Sequence, residues 1–405
     1  MRTFLSDSLR QTPGGREADE ILRSCVHCGF CNATCPTYQV LGDERDGPRG
    51  RIYLIKEMLE NNAATRETQH HLDRCLTCRA CETTCPSGVQ YNRLLEIGRA
   101  AVESSVKRPL TERLQREFIL HTIPRPALFR QLLSLARLFR PLLPVDVKKA
   151  VPVSVPKTER WPETERSRKV MLLEGCVQSV TAPRINLAAA KILDRLGIQA
   201  IPATGCCGAL SHHLSREKKT LATVKSNIDR WWPMIEAGAE AIILTASGCA
   251  PTVSDYGRLL EQDRNYAEKA QKISALSHDI SAFLEREDLG QFASSTNGDQ
   301  RIVFHSPCTL QHGLKRAGRV ETLLECLGFN LITVQDAHLC CGSAGSYSIL
   351  QKKLSQQLLT AKLEKLEERD PAVIATANIG CLMHLQSGTG RPVKHWIELL
   401  GQQTG

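Results

Sequence analysis

No stretch of the 405 residues approaches the roughly 18 consecutive apolar residues that a membrane-spanning helix needs. The opening decapeptide, Met1-Arg-Thr-Phe-Leu-Ser-Asp-Ser-Leu-Arg10, lacks the apolar core of an export signal. Without export, a secreted disulfide scaffold does not account for 17 cysteines, so these thiols are expected in the reducing cytoplasm and mostly on metal. There is no P-loop and no G-x-G-x-x-G after a strand, which leaves nucleotide or flavin binding by this chain without support. No basic patch is interleaved with aromatic residues, so a nucleic-acid partner is not expected. What remains is an ordinary globular composition, 42% apolar and 23% charged, with length for two to three domains.

Two cysteine runs stand out, Cys25-Val-His-Cys28-Gly-Phe-Cys31-Asn-Ala-Thr-Cys35-Pro36 and Cys75-Leu-Thr-Cys78-Arg-Ala-Cys81-Glu-Thr-Thr-Cys85-Pro86. Both read C-x2-C-x2-C-x3-C-P, the bacterial pattern for paired [4Fe–4S] clusters. Three thiolates two residues apart can curl around one face of the cube, and the fourth, before a proline, reaches the other cluster. On that rule Cys25, Cys28, Cys31 and Cys85 hold cluster 1, and Cys75, Cys78, Cys81 and Cys35 hold cluster 2. Zinc needs only four ligands and tolerates looser spacing, so two full runs of this kind favour iron–sulfur over zinc knuckles.

Helical patterns surround the runs at Arg16–Arg23, Pro48–Glu60, Thr65–Asp73 and Val89–Val106. The formal charge of +9 is then concentrated in one place. Between Ser105 and Lys169 there are 15 Lys/Arg against 6 Asp/Glu, so the rest of the chain balances. Prolines divide this connector into two helical pieces. In the second, Leu128, Phe129, Leu132, Leu133, Leu135, Ala136 and Phe139 are expected to face away from Arg130, Ser134 and Arg137. Such a helix suits an anionic membrane surface or a neighbouring domain or subunit. Pro144 to Arg168 reads as a linker or extended strap.

The second half of the chain repeats itself. Cys176, Gly205-Cys206-Cys207-Gly208 and Thr245-Ala-Ser-Gly-Cys249 recur as Cys308, Leu339-Cys340-Cys341-Gly342 and Thr376-Ala-Asn-Ile-Gly-Cys381. Equivalent cysteines lie 132 or 134 residues apart. In each half, short apolar runs (Val170–Leu173, Ile198–Ile201, Ala241–Leu244; Ile302–Phe304, Asn330–Val334, Val373–Ala375) alternate with helical patterns. That alternation implies a parallel sheet per half with cysteines at strand C-terminal ends. The eight recurring cysteines are candidate redox or metal residues. Cys326 lies in a helical pattern and is expected to be a core thiol. His212, His213, His305, His312 and His384 lie near cysteines and read first as hydrogen-bonding residues.

The first domain resembles the two-cluster ferredoxin domain of succinate dehydrogenase and fumarate reductase iron–sulfur subunits. The repeat resembles the cysteine-rich CCG domain of heterodisulfide reductase-type subunits. Members of that family often close the motif with C-x-x-C, whereas the closing positions here are Thr252 and His384. Along nearly its whole length the chain resembles the iron–sulfur subunits of glycolate oxidase (glycolate dehydrogenase). Gly47-Pro-Arg-Gly-Arg-Ile-Tyr53, Leu72-Asp-Arg-Cys75-Leu-Thr-Cys78 and His395-Trp-Ile-Glu398 carry that likeness together with the cysteine motifs.

The expected architecture is an α+β multidomain protein, with an N-terminal α-helical two-cluster ferredoxin domain followed by a duplicated α/β CCG domain. The expected boundaries are 1–105 for the ferredoxin-type domain, 106–168 for the basic connector, 169–290 for CCG copy 1 and 300–405 for copy 2. The resemblance implies two [4Fe–4S] clusters, with a candidate additional cluster in the CCG half and FAD only in partner flavoprotein subunits. It implies electron transfer from glycolate oxidation to a membrane acceptor such as quinone, by a cytoplasmic protein peripheral on the inner membrane face. The alternatives are a catalytic CCG-type reductase acting on a disulfide or quinone, the equivalent subunit of a lactate or glycerol-3-phosphate dehydrogenase, and a zinc-stabilised scaffold.

Overall fold

The computed structural model describes residues 1–144, 148, 151–152, 159–293, 298 and 300–401. Part of the expected 144–168 strap therefore lies outside the described residues. The chain forms two compact units. The first takes Met1–Arg116, His213–Ser215 and His338–Lys362, and the second takes Glu117–His212, Arg216–Ala337 and Leu363–Gly405.

The first unit is helical. Helix Pro13–Ser24 starts on a proline, and Thr12 Oγ1 accepts the Gly15 N–H at 3.0 Å, satisfying one free donor of the first turn. It buries Ala18, Ile21 and Leu22. Helix Pro48–Asn61 buries Ile52, Ile55, Met58 and Leu59, and with them Arg51. Helices Arg66–Asp73 and Tyr91–Ser105 complete the packing, the latter through Leu94, Leu95 and Val102. Gly98 is required where the last helix crosses Pro48–Asn61, because a Cβ there would sit 2.8 Å from Ile55 Cγ1. The cysteine runs occupy the connections between these helices. The expected helical shell is present, with ends within a few residues of the periodic signal.

The second unit holds two four-stranded parallel sheets of the same topology. β1 (Arg168–Leu173), β2 (Ile198–Ala203), β3 (Ile242–Leu244) and β4 (Ser277–Asp279) lie in the order β2-β1-β3-β4. β5 (Arg301–His305), β6 (Asn330–Ile332), β7 (Val373–Thr376) and β8 (Val393–His395) lie in the order β6-β5-β7-β8. Every neighbouring pair is parallel, which requires a crossover between strands and explains the continuous apolar runs of strands covered on both faces. Val170, Leu172 and Ile243 of one sheet share a core with Ile302, Phe304, Val373 and Ala375 of the other. The two copies also bond directly: the Ser247 N–H donates to Ala377 O at 3.1 Å, and His395 Nε2 donates to Thr245 O at 2.8 Å.

Three sequence expectations differ from the structure. The edge strands β4 and β8 carry no apolar run. Cys326 is exposed rather than a core thiol: its helix, Arg319–Cys326, buries Val320, Leu323 and Leu324 at helical spacing, and position 326 falls off that face. In helix Pro126–Leu138 only Leu133 is buried, while Leu135 and Phe139, expected on the inner face, are 53% and 48% exposed. Arg137 turns inward, its Nε donating to Pro152 O at 3.2 Å.

Two buried titratable groups in this unit predict a measurable pH dependence. Burial pushes His395 down to about 4 from 6.5, against two backbone hydrogen bonds that favour its charge. Burial lifts Asp279 to about 6 from 3.8, opposed by Ser281, whose N–H and hydroxyl donate to Oδ1 at 2.9 and 2.6 Å. His395 supplies stability above pH 6.5 that is lost as pH falls toward 4. Asp279 supplies stability below pH 3.8 that is lost as pH rises through 6. Each contribution is about 3 kcal/mol in size, so between pH 4 and 6 they largely cancel. The His395→Gln variant should therefore lose stability as pH rises from 4.5 to 6, and Asp279→Asn should gain it, in urea midpoints taken across that range. Parallel profiles in the two variants would reject the assignment.

Candidate metal centres

The first cysteine run turns on His27 and Gly29, both at positive φ (60° and 88°). The second run turns on Thr77 and Arg79 at the equivalent positions (54° and 61°). Three non-glycine residues held in the left-handed region are strained backbone that the packing enforces. The result is the same curl in both loops, which turns sulfurs toward a common centre.

Two hollows follow. Cys25, Cys28, Cys31 and Cys85 line one, and Cys35, Cys75, Cys78 and Cys81 line the other, with Cys81 on the rim of both. The sulfur fields agree with this crossed grouping. Cys25 is influenced by Cys85 and Cys28, and Cys31 by Cys25, Cys85 and Cys28. Cys81 is influenced by Cys78, Cys75 and Cys35. Burial first, and sulfur–sulfur repulsion after it, pushes Cys31 up to about 11 and raises Cys25 and Cys81 as well. Four crowded thiols around each hollow form a donor set suited to a cationic centre, which deprotonates its own thiol ligands. The residues fit two cubes.

Around the second hollow lies a buried polar network that apolar periodicity does not reveal. Asp46 accepts from Arg74 at 2.7 Å, from Arg51 at 3.4 Å and from His71 Nδ1 at 3.0 Å. Arg51 Nε donates to His71 O at 2.8 Å. The available signal was Arg51 four and seven residues before Ile55 and Met58, on the apolar face of its own helix. Asp43, Asp46 and His71 place ligand atoms within 4.8 Å of one another. Arg45 already holds Asp43 at 2.8 Å, and two arginines hold Asp46, so this group is an ion-pair network.

In the second unit the copy-1 cysteines follow the C-terminal ends of β1, β2 and β3, at the switch point where strand order reverses. They come together as a chain of thiols: Cys206 bonds with Cys176 and with Cys207, and Cys207 with Cys249. The hydrogen bonds from Cys176 and Cys207 hold the Cys206 thiol well below its usual range, and both partners are raised in return. Asn227 Nδ2 donates to Cys206 O at 2.7 Å and Tyr256 Oη to Cys207 O at 2.9 Å, fixing the pair from behind. Gly208 of the Cys-Cys-Gly turn has φ +88°, and its counterpart Gly342 has φ +89° with Ser355 O 2.7 Å from where a Cβ would be. Above Gly175 and Gly205, the neighbours of Cys176 and Cys206, opens a cavity of about 410 Å³ lined by Arg130, Trp161, Glu174 and Asn186.

The copy-2 cysteines are divided. Cys308 and Cys381 belong to the second unit, and Cys340 and Cys341 to the first. Asn378 Nδ2 donates to Cys381 Sγ at 3.5 Å, and the Gly342 N–H to Cys340 Sγ at 3.4 Å. His305 bonds through Nδ1 to Thr376 Oγ1 at 3.0 Å.

Comparison with known proteins matches residues 21–89 to the 4Fe-4S dicluster domain and residues 170–254 and 302–386 to the cysteine-rich domain. The chain is 53% identical to the glycolate oxidase iron-sulfur subunit of Escherichia coli (strain K12), over 99% of both chains. The chain belongs to the glycolate oxidase iron–sulfur subunit family. A second relative, the probable glycolate oxidase iron-sulfur subunit of Bacillus subtilis (strain 168), is 30% identical over 91% of this chain and 89% of its own. A hypothetical protein from Helicobacter pylori, of known crystal structure, shares the fold with a TM-score of 0.55 at 9% identity, covering 99% of this chain and 73% of that one. As in the family, the cofactors of this chain are iron–sulfur clusters, two of the [4Fe–4S] type in the dicluster domain.

Proposed function

We propose that this chain carries electrons within a glycolate dehydrogenase, receiving them from flavin-bearing partner subunits and delivering them to a membrane acceptor such as quinone. The observation that carries the reading is the crossed grouping of eight cysteines in a chain that matches a glycolate oxidase subunit end to end. In this reading Cys25, Cys28, Cys31 and Cys85 hold cluster 1, and Cys75, Cys78, Cys81 and Cys35 hold cluster 2. When bound, such clusters exchange one electron at a time, and a reduced flavin can release its two electrons singly to such an acceptor. The chain's own residues would hold the cubes in fixed loops, with Cys35, Cys75 and Cys81 buried around the second and Tyr347 within charge range of Cys75.

The division into a ferredoxin-type domain (1–105), a basic connector (106–168) and two CCG copies (169–290 and 300–405) belongs to the same reading. Membrane attachment would be peripheral, since among the described residues no helix is long and apolar enough to cross a bilayer. The exposed Leu135, Leu138, Phe139 and Leu142 beside Arg130 and Arg140 give the connector a surface suited to an anionic lipid face.

The test begins with metal. Anaerobically purified protein should be brown and hold about eight iron atoms if only the two cubes are present. Zinc without iron would end the proposal. Co-purified partner subunits should then reduce the clusters with glycolate in preference to lactate or glycerol 3-phosphate. The thiol chain and adjoining cavity of copy 1 favour a second reading, in which Cys176, Cys206, Cys207 and Cys249 hold a further redox centre that acts on a small acceptor. Iron well above eight atoms, lost in a Cys206→Ser, Cys207→Ser double variant while both cubes survive, would support it. Cys308, Cys340, Cys341 and Cys381 are the corresponding candidates in copy 2.

A further inference from the structure

We infer that Arg51 sets the direction of electron flow in the ferredoxin-type unit, by making cluster 2 the more easily reduced of the two. The inference rests on the ligand sets proposed above. Of the eight ligand cysteines only Cys28, on cluster 1, is exposed, while Cys35, Cys75 and Cys81 around cluster 2 are buried. A [4Fe–4S] centre gains negative charge on reduction. Burial alone would therefore disfavour reduction of cluster 2, and something must offset that cost if electrons are to move inward.

Arg51 is placed to do so. It is fully buried, within charge range of Cys75 and Cys35. Both of its terminal nitrogens donate to Thr37 Oγ1 at 3.2 Å, and that oxygen lies 3.2 Å from Cys35 Sγ. Asp46 does not cancel it, because one carboxylate there faces two guanidiniums, Arg51 and Arg74. Hydrogen bonds to sulfur also favour the reduced state: the Thr77 N–H donates to Cys75 Sγ at 3.5 Å, as the His27 N–H does to Cys25 at the first hollow, and the second hollow adds the Tyr91 hydroxyl, which donates to Cys75 Sγ at 3.6 Å. Cluster 1 has two cations of its own, but neither is fully buried as Arg51 is: Arg49 is half-exposed and bound to Glu44, and the Met1 ammonium donates to Cys25 O at 2.5 Å and to the Leu22 and Arg23 carbonyls at 3.3 Å. Tyr347 then marks an onward route. Its hydroxyl donates to Arg74 O at 3.1 Å, and the residue is within charge range of both Cys75 and Cys340.

The experiment is a redox titration of the full cluster-loaded protein followed by EPR, with Cys78→Ser identifying the cluster 2 signal. In the native protein cluster 2 should fill first. Arg51→Gln should make cluster 2 at least tenfold harder to reduce, which is 59 mV for a one-electron couple, and leave cluster 1 and the iron content unchanged. Arg51→Lys, which keeps the cation, should restore most of the shift. Where Arg51→Gln fails to assemble, Tyr91→Phe removes a single sulfur hydrogen bond and should shift cluster 2 in the same direction by about threefold. Cluster 2 filling second in the native protein, or an unmoved midpoint in whichever variant assembles, overturns the inference. Protein without iron would instead overturn the ligand assignment beneath it.

Discussion

Cys78→Ser should abolish acceptor reduction by the assembled complex while glycolate still reduces the flavin of the partner subunits. Cys78 lines the second hollow with Cys35, Cys75 and Cys81, and it is the half-buried member of a set whose other three are buried. Replacing one thiolate with a hydroxyl removes a strong ligand without changing side-chain size. The fold around it should therefore survive on the packing of Ile52, Ile55, Leu94 and Leu95. The loss falls on one centre, and electrons that reach cluster 1 have nowhere to go. Stopped-flow separates the two half-reactions: flavin bleaching by glycolate should keep its rate, and acceptor reduction should fall by several orders of magnitude. Unchanged electron flow with cluster 2 absent would mean that the second hollow is not on the path.

The parts of this molecule legible in its sequence are those written in spacing. The spacing of the C-x2-C-x2-C-x3-C-P runs proposes a crossed grouping, and the two hollows are lined by cysteines in that same grouping. The copy-to-copy offset of 132 or 134 residues announces two similar sheets before any strand is placed. The inner strands β1, β3, β5 and β7 carry short, unbroken apolar runs that are buried, whereas the edge strands β2 and β6 are only partly covered.

What was not legible depends on single residues against a pattern. Ser277-His-Asp279 and Val393-Lys-His395 are edge strands of three residues, too short and too polar to show a period. Arg51 on an apolar helix face looks like an exception until Asp46, His71 and Thr37 are seen converging on it. Cys326 shows the converse, since helix membership does not fix which way a thiol points. The thiol chain of copy 1 depends likewise on which way four side chains turn. Thr252 stands at the closing position of copy 1, yet Cys176, Cys206, Cys207 and Cys249 still meet.

Asp46→Asn should be among the most damaging single substitutions in the first unit, at about 3–5 kcal/mol, the cost of breaking a buried ion pair from one side. Asn keeps the shape and one acceptor oxygen, so the loss measures charge rather than packing. It leaves Arg51, which is 1% exposed, without a carboxylate partner, its charge met by the Thr37 hydroxyl, the His71 carbonyl and the neighbouring Cys35 and Cys75 sulfurs. Asp43→Asn is the control. Its partner Arg45 is half exposed, and a surface pair of that kind contributes under about 1 kcal/mol. Against a total stability of about 5–15 kcal/mol the first change is severe and the second is nearly silent. Chemical denaturation followed by the helical signal, with the visible band as a second probe, distinguishes them. Equal losses in the two variants would mean that the buried network does not hold this unit together. The same Asp46→Asn protein should show cluster 2 easier to reduce, opposite in sign to Arg51→Gln, because removing the carboxylate leaves the guanidinium charge less opposed. A general loosening of the site would move both variants the same way.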